Sequence, residues 1–240
     1  MHDLSARVLR PELLDGGELP DEEVRQTLLD LRRINRRFGP RRILLDALAR
    51  ESSRRRLTQF TVLDIASGSC DLPMAILDWA QQKTLKVQVF AMEYQHRHLR
   101  LFRRELLAYS TLYPICADAL HAPVSNQAFD FVTCCHFLHH LTEEQASHLL
   151  SRMGTWARHA VIVGDLERHP LPYYFLRIFG RFLVTSSVSR SDGLISIEQS
   201  FRREELKLVA ERAGLINYTV ERHWPFRLLL MAEISSPANS

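Results

Sequence analysis

The run Phe60-Thr-Val-Leu-Asp-Ile-Ala-Ser-Gly-Ser-Cys-Asp-Leu-Pro73 constrains this chain more than any other stretch. Val62, Leu63 and Ile65 form an apolar β-type segment with Asp64 near its C-terminal end. Four small residues follow, Ala66, Ser67, Gly68 and Ser69, and Pro73 stands in the first turn of an apolar helix. Strand, tight turn and helix make the first βα unit of a nucleotide-binding sheet, with a ligand expected at the strand's carboxyl end.

The remainder continues the alternation. Strands are expected at Thr61–Ile65, Val87–Met92, Leu112–Cys116, Phe129–Cys135, Ala160–Asp165, Tyr218–Arg222 and Arg227–Ile234. Helical patterns fall at Pro73–Gln82, His96–Tyr109, Thr142–Trp156 and Phe201–Ala213. Thr142 and Gln145 spell a capping box, and Gly214 suits the position just past a helix. Strands alternating with helices imply a parallel sheet covered on both faces. The last two strands are joined only by His223-Trp-Pro-Phe226, so they must be antiparallel neighbours. Ahead of the sheet, residues 1–20 read as a loose arm broken by Pro11, Gly16, Gly17 and Pro20. Two helices follow, one capped by Asp21 with Val24, Leu28, Leu31 and Phe38 on one stripe, the other over Arg41 to Arg50.

Charge narrows the ligand. A dinucleotide would set its pyrophosphate against Asp64 and Asp71 in a turn with one glycine. S-adenosylmethionine offers a sulfonium and an ammonium to the acids and a carboxylate to the free N–H groups of the turn. The segment resembles motif I of the class I S-adenosylmethionine-dependent methyltransferases, whose turn reads Asp-x-Gly-x-Gly-x-Gly. Here those positions are Asp64, Ala66, Gly68 and Cys70, so two glycines are replaced, and a positive φ at either would be strained. The strand order with its C-terminal hairpin is also similar to that family. The resemblance implies an α/β, Rossmann-like sheet of seven strands, mostly parallel, with helices on both faces. It runs from about residue 58 to 240, with the N-terminal arm and lid helices over 1–57 and a lid insertion at about 166–199.

The same resemblance assigns the cofactor contacts. Asp64, Ala66, Ser67, Gly68 and Asp71 belong to the turn; Asp71 either binds the methionine ammonium or favours the dipole of its helix. Glu93, directly after the second strand and followed by Tyr94, would accept from the ribose hydroxyls. Asp118 and Ala119, after the third strand, would meet the adenine, while Cys135 and His136 would line the cofactor.

Neither Asn/Asp-Pro-Pro-Tyr nor a Pro-Cys nucleophile follows the fourth strand; instead the chain reads Phe137-Leu-His139-His140-Leu141. That is similar to the quinone-biosynthesis and small-molecule branch, and implies O-methylation of a hydrophobic aromatic or polyketide-like small molecule. A phenol needs a base, and a histidine near neutrality serves. His139 is assigned that role with Asp165 in support. His140, His169, Tyr173 and Tyr174 are assigned to the acceptor, although His140 would also serve to pack or cap the next helix. No cluster has metal-ligand spacing, His139 and His140 being adjacent, so no metal is expected and activity should survive a chelator. Leu166 to Gln199 carries Tyr173 to Leu183 and Arg177 and Arg181 at i,i+4, read as a lid over the acceptor, core packing, or a helix lying on a membrane surface.

Composition bounds the partners. At 240 residues and a formal charge of +3, the chain needs no polyanionic partner. The arginines from Arg32 to Arg56 invite an RNA methyltransferase reading, yet only Phe38 interleaves them, which favours a solvated face over nucleic acid. Arg33 or Arg36, beside Asn35, would be placed to reach the cofactor carboxylate. A third reading is a non-catalytic cofactor-binding scaffold with a degenerate motif. Four scattered cysteines, a polar Met1–Arg10 and no apolar run of about 18 residues point to a cytoplasmic protein that spans no membrane, though peripheral membrane contact is allowed.

Overall fold

The computed structural model describes residues 3–234. Its seven strands are β1 (Gln59–Ile65), β2 (Lys86–Glu93), β3 (Leu112–Cys116), β4 (Phe129–Cys135), β5 (Ala157–Leu166), β6 (Asn217–His223) and β7 (Arg227–Glu233). They lie in one sheet in the order β3-β2-β1-β4-β5-β7-β6. The first five run parallel; β7 pairs antiparallel with both β5 and β6, as the short link between the last two strands requires. Order reverses between β1 and β4, which opens the crevice at their carboxyl ends where such sheets take ligands.

Side-chain alternation along the strands divides the core in two. Leu63 and Ile65 face α5 (Glu143–Trp156) and α8 (Arg203–Arg212); Phe60 and Val62 face α2 (Pro40–Arg54), α3 (Asp71–Gln82) and α4 (His96–Leu106). Adjacent Cys134 and Cys135 fall into opposite clusters for the same reason. The capping box on α5 closes: Gln145 N–H donates to Thr142 Oγ1 at 3.2 Å, and Thr142 N–H to Gln145 Oε1 at 3.0 Å. Asp21 is not a cap but the first residue of α1 (Asp21–Arg37), where its carboxylate meets Arg97 and Arg100 at 2.6 Å.

Two features depart from the sequence reading. The segment after β5 holds two helices, α6 (Pro170–Leu183) and α7 (Ser187–Gln199), which pack on each other. The N-terminal arm is docked, not loose. Arg7 donates to the carbonyls of Gln199, His139 and Leu141, and buried Arg168 donates to Leu4 and Ser5. Asp192 on α7 accepts from Leu13 and Leu14 N–H at 2.9 and 3.0 Å, which fixes the 3-10 turn Leu13–Gly16. No helix among the described residues is long and apolar enough to cross a membrane.

Candidate active site

A cavity of about 880 Å³ opens at the carboxyl ends of β1, β2, β4 and β5. At one end the turn after β1 carries positive φ at Ala66 (55°), Gly68 (54°) and Cys70 (58°), the three places where the family motif has glycine. Small side chains therefore occupy a backbone that glycine adopts without strain. Asp64, buried, accepts from Thr133 Oγ1 at 2.6 Å and Ser67 Oγ at 2.8 Å. Burial pushes its carboxyl up to about 7 against those two hydrogen bonds. Asp71 accepts from Asn35 Nδ2 at 3.0 Å and is likewise raised by burial. Glu93 spans the turn, taking Gly68 N–H at 2.7 Å and Gln95 N–H at 2.8 Å, with His98 Nδ1 3.4 Å away.

Two buried acids and the half-buried Asp71 at one end of a cavity make a poor seat for a pyrophosphate and a good one for a cation, so the set fits S-adenosylmethionine. Asp118, Ala119 and Tyr94 line the same end. Asp118 accepts from Leu120 N–H and meets His121 Nδ1 at 2.8 Å; although burial works against it, those hydrogen bonds hold its carboxyl below the ordinary value. Cys135 and His136 line the floor. His136 has positive φ, and burial with nearby Arg227 drives its imidazole down to about 3, so it is neutral.

Arg33 and Arg36 do not take the place considered for them: Arg33 pairs with Asp30 at 2.5 Å, and neither lines the cavity. Arg32 clamps the turn from behind, donating to Ser69 Oγ and Ser69 O at 2.9 and 2.7 Å while stacking on Phe102.

At the other end, His139 is 2% exposed and its Nδ1 lies 2.6 Å from Asp165 Oδ1. Charge and a hydrogen bond from His139 overcome burial and hold Asp165 near 2, so it is an ionised acceptor. Nδ1 therefore carries a hydrogen to Asp165, and Nε2 is the ring nitrogen left for the cavity. His140 Nδ1 makes the equivalent contact with Asp15 at 3.0 Å. Burial lowers His140, but Asp15 and Glu12 outweigh it and raise the imidazole to about 9. Adjacency was expected to turn the two rings apart. In a 3-10 turn (Leu138–His140) they lie 4.4 Å apart instead, each with Nε2 3.8 Å from Glu12 Oε1.

Of the other acceptor residues expected from the sequence, none lines the cavity. Tyr173 and Tyr174 pack in a satellite core with Leu4 and Ile197, because α6 turns its other face inward. His169 caps α6 through Leu171 N–H at 3.1 Å and stacks on Phe226. Leu171, Pro172, Phe175 and Leu176 line the cavity in their place, with Leu31 and Phe38 opposite. Glu12, Asp15 and Arg227 went unnoticed in the sequence. Glu12 and Asp15 carry no sequence signal, whereas Arg227 heads a strand that is apolar from Leu228 to Ala232. Arg227 is 8% exposed, its Nε has no partner, and burial lowers it to about 10.

Residues 62–160 match the family profile described as a methyltransferase domain. A comparison with curated protein sequences finds no match. Among solved structures, an S-adenosylmethionine-dependent methyltransferase from Aquifex aeolicus superposes with a TM-score of 0.60 at 15% identity, over 91% of this chain and 100% of that one. The magnesium protoporphyrin IX methyltransferase of Synechocystis, with bound S-adenosylhomocysteine, gives 0.56 at 16%, over 82% and 84%. The CMeT domain of the citrinin polyketide synthase gives 0.57 at 9%, over 75% and 47%. These likenesses carry the fold, and the profile match carries the domain. Residues 62–160 thus match a methyltransferase domain, and the described chain has the fold of the S-adenosylmethionine-dependent methyltransferases.

Proposed function

We propose that this enzyme methylates an ionisable hydroxyl on a hydrophobic aromatic or polyketide-like small molecule. The observation that carries the reading is the His139–Asp165 pair, hydrogen-bonded at 2.6 Å and opening onto a cavity walled by Leu31, Phe38, Leu171, Phe175 and Leu176. Bound S-adenosylmethionine supplies an electrophilic methyl group, transferred by in-line displacement. His139 Nε2 takes the hydroxyl proton as the acceptor oxygen closes on the methyl carbon. Asp165 holds the ring and offsets the charge it gains. Protonated His140 and buried Arg227 stabilise the acceptor's oxyanion, which suits a phenol or enol better than an alcohol.

The polar end holds the cofactor: Asp64 and Asp71 face its cationic groups, Glu93 its ribose, and Asp118 and Ala119 its adenine. Residues 1–57 and 166–199 act as the covers of a core spanning 58–240. A magnesium protoporphyrin enzyme and a polyketide synthase domain among the structural neighbours are in keeping with a large, flat acceptor. On α6, Leu171, Phe175, Ile178, Phe179 and Phe182 are exposed beside Arg177 and Arg181, with no acid on the helix. That face suits an anionic membrane surface from which a lipophilic acceptor would enter past Leu171 and Phe175. RNA is disfavoured because several arginines of the run are paired internally: Arg32 with Glu105, Arg33 with Asp30, Arg54 with Glu51 and Glu233.

Methyl-labelled cofactor offered with a panel of phenols and enols tests the reading. Label in an ether product is expected; label appearing only in RNA or on carbon overturns it.

A further inference from the structure

Both imidazoles of the 3-10 turn are held in the same way, and that leads beyond base catalysis. His139 presents Nδ1 to the carboxylate of Asp165 at 2.6 Å, and His140 presents Nδ1 to that of Asp15 at 3.0 Å. A carboxylate on the far nitrogen is the outer-shell arrangement of metal-binding histidines, where it fixes the tautomer and raises the basicity of the near nitrogen. Here the two near nitrogens converge on one carboxylate oxygen, Glu12 Oε1, each 3.8 Å away. That is too long for a hydrogen bond. In a tetrahedral zinc site with metal–nitrogen and metal–oxygen bonds of about 2.1 Å, neighbouring ligand atoms stand about 3.4 Å apart. The two contacts to Glu12 therefore need to close by only a few tenths of an ångström, and the ligand atoms of the three side chains all lie within 4.8 Å of one another.

Glu12 is itself placed. Its Oε1 accepts from Gln199 Nε2 at 3.0 Å and lies 2.6 Å from Ser196 Oγ, which also has the Asp192 carbonyl at 2.9 Å. A carboxylate offers about four lone-pair sites, so Glu12 is able to keep both hydrogen bonds and still present one to a metal. Among the described residues these three side chains are the one group of histidine, cysteine and carboxylate atoms that converge within 4.8 Å. They also line the acceptor end of the cavity, so a fourth position faces open space.

We propose that Glu12, His139 and His140 bind a divalent transition-metal cation of the zinc class, His140 releasing its Nε2 proton to solvent as the metal binds, and that its binding stops methyl transfer by occupying the Nε2 lone pair of His139. Two nitrogens and one oxygen match zinc or cobalt, and a magnesium ion, which prefers oxygen, is a poor fit. The effect on turnover rests on the reading of His139 as the base; the binding itself does not.

The full chain is titrated with Co²⁺, whose visible absorption reports nitrogen ligation, with S-adenosylhomocysteine present throughout. A band saturating with one equivalent is expected. Asp15→Asn should weaken the metal by about 10–100-fold as an outer-shell change, and Glu12→Gln and His140→Gln should weaken it further. Thermal melting without metal checks that each variant is folded, and Asp15→Asn, half exposed, still tests the site if a ligand variant is not. Zn²⁺ should then inhibit methyl transfer over the same range, reversibly with EDTA, and leave cofactor affinity unchanged. No band at millimolar Co²⁺, or equal affinity in all three variants, overturns the site. Activation by Zn²⁺, or inhibition accompanied by loss of cofactor, overturns the switch. If the acceptor is not an ionisable hydroxyl, cobalt still reports on the site; if cobalt does not bind, the methyl-transfer reading is untouched.

Discussion

At the cofactor end of the cavity three acids sit on or just beyond the carboxyl ends of adjacent strands, Asp64 on β1, Glu93 on β2 and Asp118 after the edge strand β3. At the acceptor end the polar groups come from places far apart in the chain: Glu12 and Asp15 from the arm, His139 and His140 from a 3-10 turn, Arg227 from the hairpin. The first end is built by the sheet itself and inherits its rigidity. The second is assembled by docking covers onto that sheet. The two ends should therefore respond separately to substitution.

The widest separation is expected at His139. Replacing it by alanine should cost about 10²–10⁴-fold in turnover, with cofactor affinity nearly unchanged by calorimetry. Near-native turnover would make it a packing residue; loss of cofactor binding would join the two ends. Glu93→Ala is the mirror experiment. It removes the acceptor for Gly68 N–H and, on the proposed reading, those for the ribose, so binding should weaken by ~1.5–3 kcal/mol while turnover at saturating cofactor holds.

A smaller effect is expected from pH. Burial raises Asp64 to about 7, so its neutral form favours the folded state and that contribution is lost as pH rises through about 7. A cationic cofactor favours the ionised form. Affinity should therefore climb between about pH 6 and 8 and level off above, and Asp64→Asn should flatten the curve. If the wild type is already flat, Asp64 does not face the cation.

The smallest change concerns the backbone alone. Ala66 sits at φ 55°, so Ala66→Gly should raise stability by about 1 kcal/mol, read as a shift in denaturation midpoint. A lower midpoint would mean that the methyl group packs usefully.

The same contrast explains what the sequence disclosed. Strands Leu112–Cys116 and Phe129–Cys135 match their expected limits, because apolar runs bounded by turns can hardly be anything else in an alternating chain. The turn after Asp64 was legible for the same reason: its small residues mark the place where the backbone must take positive φ. α7 was missed. Pattern reading assumes that polar residues face water, and Ser189, Asp192, Ser196, Glu198 and Gln199 are all buried. Asp192, Ser196 and Gln199 hold the arm. Tyr173 and Tyr174 misled in the opposite sense, since aromatic character does not say which side of α6 faces the acceptor.

The docking of the arm also bears on the order in which the molecule forms. Arg7 finds its carbonyl partners 132, 134 and 192 positions later in the chain, and Leu13 and Leu14 reach Asp192 across 179 and 178. Closing loops of that length brings no reward until α7 and the 3-10 turn are in place, so the residues of the arm are among the last to settle. Their tethers are side-chain hydrogen bonds over a small apolar contact, and such segments open at a fraction of the global unfolding cost. Amide exchange should show Leu13 and Leu14 releasing their hydrogens well ahead of β1 and β4. The enzyme would then pass, at each opening, through a form whose cofactor end is complete and whose acceptor end is not.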